Sequence, residues 1–166
     1  MWCEVPNRST IAPELMAYAT NTDNWIRYYN FFTTQVPFDL VFSDPFLHGL
    51  ALRHKLAVGV LRLDPYVCYD WHKDSRRGVC VNMLLNDVES KCLFANSKEE
   101  ATHNFTELQY KVGKYYIFNN QVEHMVINFA QSRYLMSVEF EEDKYALTFD
   151  NLIAELGFND DQPTRP

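Results

Sequence analysis

Eight short runs rich in Val, Ile, Leu, Tyr and Phe follow one another between residues 57 and 140, and this rhythm limits the fold more than any other feature. They are Ala57–Leu63, Tyr66–His72, Val79–Leu85, Lys91–Ala95, Phe105–Leu108, Tyr115–Phe118, Val122–Phe129 and Arg133–Phe140, separated by Gly, Asn, Asp, Ser or Lys. β-prone runs between turn-forming residues read as strands, and so many at close spacing need a barrel or two packed sheets. Several are apolar on both faces. In 79–85, Val79, Val81, Met83 and Leu85 form one row and Cys80, Asn82 and Leu84 the other. A strand apolar on both rows must be covered on both faces.

The first third of the chain supplies the cover. Leu15, Tyr18, Trp25, Ile26, Tyr29 and Phe32 recur at three- and four-residue steps, which predicts an interrupted helix over residues 11–32 with Pro13 in its first turn. Asp44-Pro45 predicts a second helix start, reaching about His54 and burying Phe46, Leu47, Leu50 and Leu52. Residues 148–156 predict a short closing helix, and Asn159–Pro166 a polar tail that frays. The expectation is one domain, 1–166, of mainly β class. A helical cover (about 1–56) packs on one sheet of a sandwich core (about 57–140) whose interior is a pocket, and 141–166 form a C-terminal extension.

The 166 residues, 47% of them hydrophobic, suffice for a real core. A formal charge of −7 argues against broad nucleic-acid binding, which needs a basic face. Met1-Trp2-Cys3-Glu4 has no signal-peptide character, and charged residues or His interrupt every apolar stretch before membrane-spanning length. Cys3, Cys68, Cys80 and Cys92 form no CxxC pair and read as buried or half-buried thiols in preference to disulfides or a zinc site. A cytoplasmic protein with no membrane partner is expected, and no signal speaks to oligomeric state.

The chemistry concentrates in two segments. In a strand, residues two apart share a face, so His72 and Asp74 of Tyr69-Asp70-Trp71-His72-Lys73-Asp74 point the same way and can offer a divalent metal two ligands. Alone, this pair is also what a polar surface strand produces. The second segment, Val122 to Phe140, reads as two antiparallel strands joined by a short turn at Ala130–Ser132. Such a hairpin puts His124, mid-strand beside Val122 and Val126, next to Arg133, which opens the following strand. The bland readings are a core histidine and a solvated arginine. The order HxD, distal His, then Arg meets a specific chemical need, however. Two imidazoles and one carboxylate occupy one face of an octahedral iron(II) and leave three adjacent positions open. A 2-oxo acid and dioxygen can fill these, and the acid's far carboxylate needs a permanent cation in a dry pocket.

This order resembles the HxD…H…R motif of the 2-oxoglutarate/iron(II) dioxygenase superfamily, over roughly residues 57–140. The resemblance implies a double-stranded β-helix of jelly-roll or cupin-like form. It also implies iron(II) on His72, Asp74 and His124, 2-oxoglutarate anchored by Arg133, and O2 as oxidant in a hydroxylation. Tyr69-x-x-His72-x-Asp74 is similar to the YxxHxD pattern of prolyl-hydroxylase-like members, whose tyrosine reaches the co-substrate. By strand parity Tyr69 falls on the opposite row from His72, so that role requires a bulge or bend. The alternative for Tyr69 is a packed aromatic. Asn82, an amide among apolar neighbours, contacts the co-substrate or a metal ligand, or pairs with backbone. Ser137 shares the row of Arg133 and is a candidate second hydrogen bond to the same carboxylate, although Leu135 stands where an RxS spacing would have its serine.

The expected substrate is a side chain of a protein or peptide, as in prolyl or aspartyl/asparaginyl hydroxylases. The same chemistry on a free amino acid or small metabolite is the alternative. A non-catalytic cupin-like binder of a metal or small acid, and an interaction module without metal, are the readings from other classes. His48, His54 and His103 read as helix-end or loop residues. Lys73, Arg76 and Arg77 form a small basic cluster that reads as a solvated loop, the alternative being a rim that greets an anionic substrate.

Overall fold

The computed structural model describes residues 1–158; the tail from Asn159 to Pro166 lies outside the described residues. In chain order the elements are β1 (Trp2–Arg8), α1 (Ala12–Asn21), β2 (Ile26–Tyr28), β3 (Phe31–Gln35), α2 (Phe38–Phe42), α3 (Pro45–Ala51), β4 (Leu56–Leu63), β5 (Cys68–His72), β6 (Val79–Leu84), β7 (Ser90–Ala95), a 3-10 turn (Glu100–Thr102), β8 (Thr106–Glu107), β9 (Lys114–Asn119), β10 (Glu123–Asn128), β11 (Arg133–Phe140) and α4 (Phe149–Glu155). All eight predicted strands form, with ends within two residues of expectation.

Two antiparallel sheets face each other, one of seven strands in the order β1-β9-β6-β11-β4-β3-β2 and one of four in the order β5-β10-β7-β8. This is the expected sandwich, and the period-2 rows sort its strands onto two interiors. Val79, Val81 and Met83 of β6, Tyr115 and Ile117 of β9, and Met136 and Val138 of β11 join one core with Leu15, Val41, Leu47 and Leu50 from the helices. The alternate residues Cys80, Tyr116 and Phe118 join Cys92 and Phe94 between the sheets. Helices thus cover the outer face of the large sheet.

Asp44 fixes how α3 begins. It is buried, and its Oδ1 accepts from the backbone N–H groups of Phe46 and Leu47 at 3.0 and 3.2 Å. Its Oδ2 accepts from Thr10 N and Oγ1 at 2.9 and 3.1 Å. One carboxylate therefore caps α3 and ties it to the segment before α1.

The first third is less helical than its spacing predicts. The helix ends at Asn21, and the expected continuation is instead the β2–β3 hairpin, in which Phe31-Phe32-Thr33-Thr34 is aromatic and β-branched and pairs with β4. A further strand, β1, precedes α1. Leu52 is 77% exposed because α3 stops at Ala51, while Leu47 and Leu50 are buried as expected.

The predicted hairpin of residues 122–140 is also corrected. β10 lies in the small sheet between β5 and β7, and β11 in the large sheet between β4 and β6. Both edges of each strand are occupied, so the two cannot pair. The connection crosses between sheets and is pinned there: Asn128 Nδ2 donates to the carbonyls of Leu63, Asp64 and Gln131, and Asn86 bonds Ser132 O and Tyr134 N. No helix among the described residues is long and apolar enough to cross a membrane.

Candidate metal centre

The small sheet and the inner row of the large sheet enclose a cavity of about 1290 Å³. All seven residues singled out from the sequence line it: Tyr69, His72, Asp74, Asn82, His124, Arg133 and Ser137. His124 and Arg133 reach it from opposite sheets instead of from neighbouring strands.

β5 and β10 bring the histidines together, since His72 and His124 are direct partners in the antiparallel register and their ring centroids lie 4.2 Å apart. Asp74 follows β5 by two residues. One potential ligand atom from each of the three lies within 4.8 Å of the others, and His72 Nε2 is 3.9 Å from Asp74 Oδ1. Each imidazole is oriented from behind. His72 Nδ1 is 2.6 Å from Asp70 O and His124 Nδ1 2.8 Å from Val122 O, so each Nδ1–H donates to a carbonyl and Nε2 is left as the free lone pair. Burial, and after it the nearby His72, pushes the pKa of His124 down to about 4, so the ring is neutral at pH 7.

The carboxylate is oriented as firmly. Asp74 Oδ2 accepts from Asn120 Nδ2 at 2.6 Å and from Arg77 Nη2 at 2.7 Å, leaving Oδ1 toward His72. Gln121 Nε2 donates to the carbonyls of Asp74 and Arg77, and Asp74 N donates to Asn120 O. The loop continues to Gly78, where an added Cβ would meet the carbonyls of Lys144 and Leu147, and Lys144 N donates to Arg76 O. The segment after β11 thus lies directly on the loop that carries Asp74. Asn120, Gln121 and Arg77 are orienting groups that sequence reasoning misses. Arg77 reads there as part of a solvated loop, and no spacing rule links Asn120 to a residue 46 positions earlier.

The bulge that Tyr69 requires is present. Between His124↔His72 and Val126↔Tyr69, two steps on β10 face three on β5, which brings Tyr69 onto the cavity side with its ring 4.1 Å from that of His72. Arg133 is 4% exposed, and its Nε has no hydrogen-bond partner among the described residues. Its guanidinium lies 5.5 Å over the ring of Tyr110, and no carboxylate pairs with it among the described residues. A buried unpaired cation of this kind fits an incoming carboxylate. Asn82 accepts from Cys80 Sγ at 3.5 Å. Burial pushes the thiols of Cys80 and Cys92 up to about 11 and about 12, so both stay protonated and offer no thiolate to a metal. No disulfide joins the four cysteines among the described residues; Cys80 and Cys92 are buried and Cys3 half-buried as expected, whereas Cys68 is exposed.

No family profile and no curated sequence matches this chain. Solved structures do resemble it. An oxidoreductase of the 2OG-Fe(II) oxygenase family from Burkholderia pseudomallei superposes with a TM-score of 0.62 at 10% identity, covering 89% of this chain and 86% of that one. A prolyl hydroxylase from Trichoplax adhaerens, in complex with a hypoxia-inducible-factor oxygen-degradation-domain peptide, gives 0.63 at 12% identity over 84% and 82%. HygX from Streptomyces hygroscopicus, with nickel, 2-oxoglutarate and hygromycin B bound, gives 0.56 at 11% over 82% and 81%. The fold is the double-stranded β-helix of the 2-oxoglutarate/iron(II) oxygenases, prolyl hydroxylases among them.

Proposed function

We propose that this chain is an iron(II)- and 2-oxoglutarate-dependent oxygenase that hydroxylates a side chain of a protein or peptide. The observation that carries the reading is the presence, in one cavity, of a two-imidazole, one-carboxylate face and a buried guanidinium with no carboxylate partner among the described residues. The donor set fits iron(II): three hard or borderline ligands on one side, each held by a hydrogen bond on its far atom. When bound, the iron supplies the O2-dependent oxidation coupled to decarboxylation of the co-substrate.

The chain's own residues do the rest. His72, His124 and Asp74 would hold the metal, with Asn120 and Arg77 engaging Asp74 Oδ2 and leaving Oδ1 toward His72. Arg133 would take the far carboxylate of 2-oxoglutarate, with Ser137 on the same row, Asn82 on the adjoining strand and Tyr69 beside His72 available for polar contacts. Apolar residues such as Leu135, Val126 and Phe118 exclude water around these groups. The peptide-bound structural neighbour supports a peptide substrate, and the hygromycin-bound one supports the alternative of a small molecule.

Anaerobic titration with iron(II) and 2-oxoglutarate tests the reading. A visible charge-transfer band is expected only with both components, absent in His124→Ala and weakened in Arg133→Ala. Metal-loaded protein that gives no band with 2-oxoglutarate would refute it.

A further inference from the structure

The floor of the cavity holds the metal and co-substrate groups, and its mouth carries a separate set of residues. Treating that mouth as the substrate entrance is the one point that rests on the oxygenase reading. An unbroken ladder of aromatic rings runs from solvent to the metal face. Tyr29 meets Tyr28 edge-on at 4.9 Å between centroids, Tyr28 meets Phe31 at 5.4 Å, Phe31 meets Tyr69 at 5.3 Å, and Tyr69 meets His72. Its outer end is exposed, Tyr29 at 74%.

The backbone beneath this outer end is strained. Tyr29 has φ 53° and is the first residue of the two-residue turn joining β2 to β3, a left-handed position that glycine normally takes in such a turn. A bulky aromatic is disfavoured there, and burial does not compensate a ring so exposed. Strain answered only by the edge-on contact with Tyr28 points to a use for the side chain. The turn is also tied down, because Asn30 Nδ2 donates to Cys68 O at 2.5 Å and so fastens the hairpin of the large sheet to the edge strand of the small one. The two tyrosines are held over the opening.

Cations line the same mouth. Lys73 and Arg76 form no ion pair among the described residues, whereas Arg77 is engaged by Asp74. Of the acids there, Asp70 accepts from Trp71 N, Asp74 is bonded to Asn120 and Arg77, and Glu139 interacts with Arg77. Two uncommitted cations at one opening stand out on a chain of net charge −7.

We propose that this mouth is a substrate-reading subsite, in which Tyr28 and Tyr29 stack on a flat ring and Lys73 and Arg76 draw an anionic group beside it. The substrate class is a planar ring with an adjacent anion, whether an aromatic residue flanked by acidic ones in a peptide or a free molecule such as a nucleoside monophosphate. Aromatic faces take any flat ring, and the charge supplies the selection.

Calorimetry and saturation-transfer NMR on the anaerobic protein with iron(II) and saturating 2-oxoglutarate, which keeps acidic probes off Arg133, read binding without turnover. The probes are adenosine 5′-monophosphate against adenosine and ribose 5-phosphate, and acetyl-Asp-Trp-Asp-amide against its Asn-Trp-Asn counterpart. At least one ring–anion probe is expected to bind tenfold or more tighter than its control, and the pair that does so identifies the source. Tyr29→Gly should weaken that probe at least fivefold while Tm holds or rises and 2-oxoglutarate binding is unchanged. Lys73→Ala with Arg76→Ala should remove the advantage over the control. Neither probe exceeding its control, or binding that survives Tyr29→Gly, would overturn the proposal, as would a Tm several degrees lower in Tyr29→Gly. Absence of 2-oxoglutarate binding would count against the oxygenase reading instead, and the probe series would then be read without it.

Discussion

On β11, Met136 and Val138 face the helices while Arg133, Leu135, Ser137 and Glu139 face the cavity; on β6, Val81 and Met83 face the helices while Cys80 and Asn82 face inward. The same strands thus serve two interiors. The helix side is closed, apolar and interdigitated, as a row that stabilises the fold should be. The cavity side keeps a buried arginine, an amide, a hydroxyl and a histidine, each of which costs stability unless a ligand or hydrogen bond answers it. Changing one residue along a strand exchanges one role for the other, because side chains alternate.

Adjacent substitutions on β11 and its surroundings sharpen this contrast. Met136→Ala opens a hole in the helix-side core and should lower unfolding free energy by about 2–5 kcal/mol in urea titration, with iron(II) affinity of the folded fraction unchanged. Metal loss with intact stability in this variant would break the division. Asn120→Ala should do the reverse, weakening iron(II) binding about 10–100-fold in competition with a chromophoric chelator. Ser137→Ala, the immediate neighbour of Met136, should shift stability by no more than about 1 kcal/mol, and a severalfold loss of 2-oxoglutarate affinity would mark its hydroxyl as part of the site.

The smallest effect is a pH slope. His124 titrates near 4 in the folded chain against an ordinary 6.5, so as pH falls the unfolded chain takes the proton first. Stability from this group is present above about pH 6.5 and lost as pH falls toward 4. The metal-free Tm should decline across that window by more in the wild type than in His124→Leu, and equal slopes would show that the cavity side is wetter than its burial implies.

The same contrast explains what the sequence makes legible. The strands of residues 57–140 are legible because burial on both faces sets their period-2 rows, and the candidate triad because His72, Asp74 and His124 are the donor types that one ion would gather, and the fold brings them together. The hairpin at residues 26–35 hides behind Trp25, Tyr29 and Phe32, which repeat at helical steps, although the aromatic and β-branched content of Phe31 to Thr34 speaks for a strand. The crossover after β10 hides because a short linker looks alike whether it turns back or changes sheets. The partners of Asp74 are not legible at all. Asn120 meets it only because the turn before β10 folds back on the loop after β5, which is a tertiary fact.

Gly78 lies under the carbonyls of Lys144 and Leu147, and this has a consequence for biosynthesis. The candidate ligands are complete once residue 124 has been made, but the loop bearing Asp74 gains its outer cover only when the segment containing Lys144 and Leu147 has left the ribosome. Synthesis runs from the N-terminus. A nascent chain ending short of that segment would own every candidate ligand and the Asn120 and Gln121 contacts to the loop, yet lack the cover over Gly78, so full metal retention should arrive late.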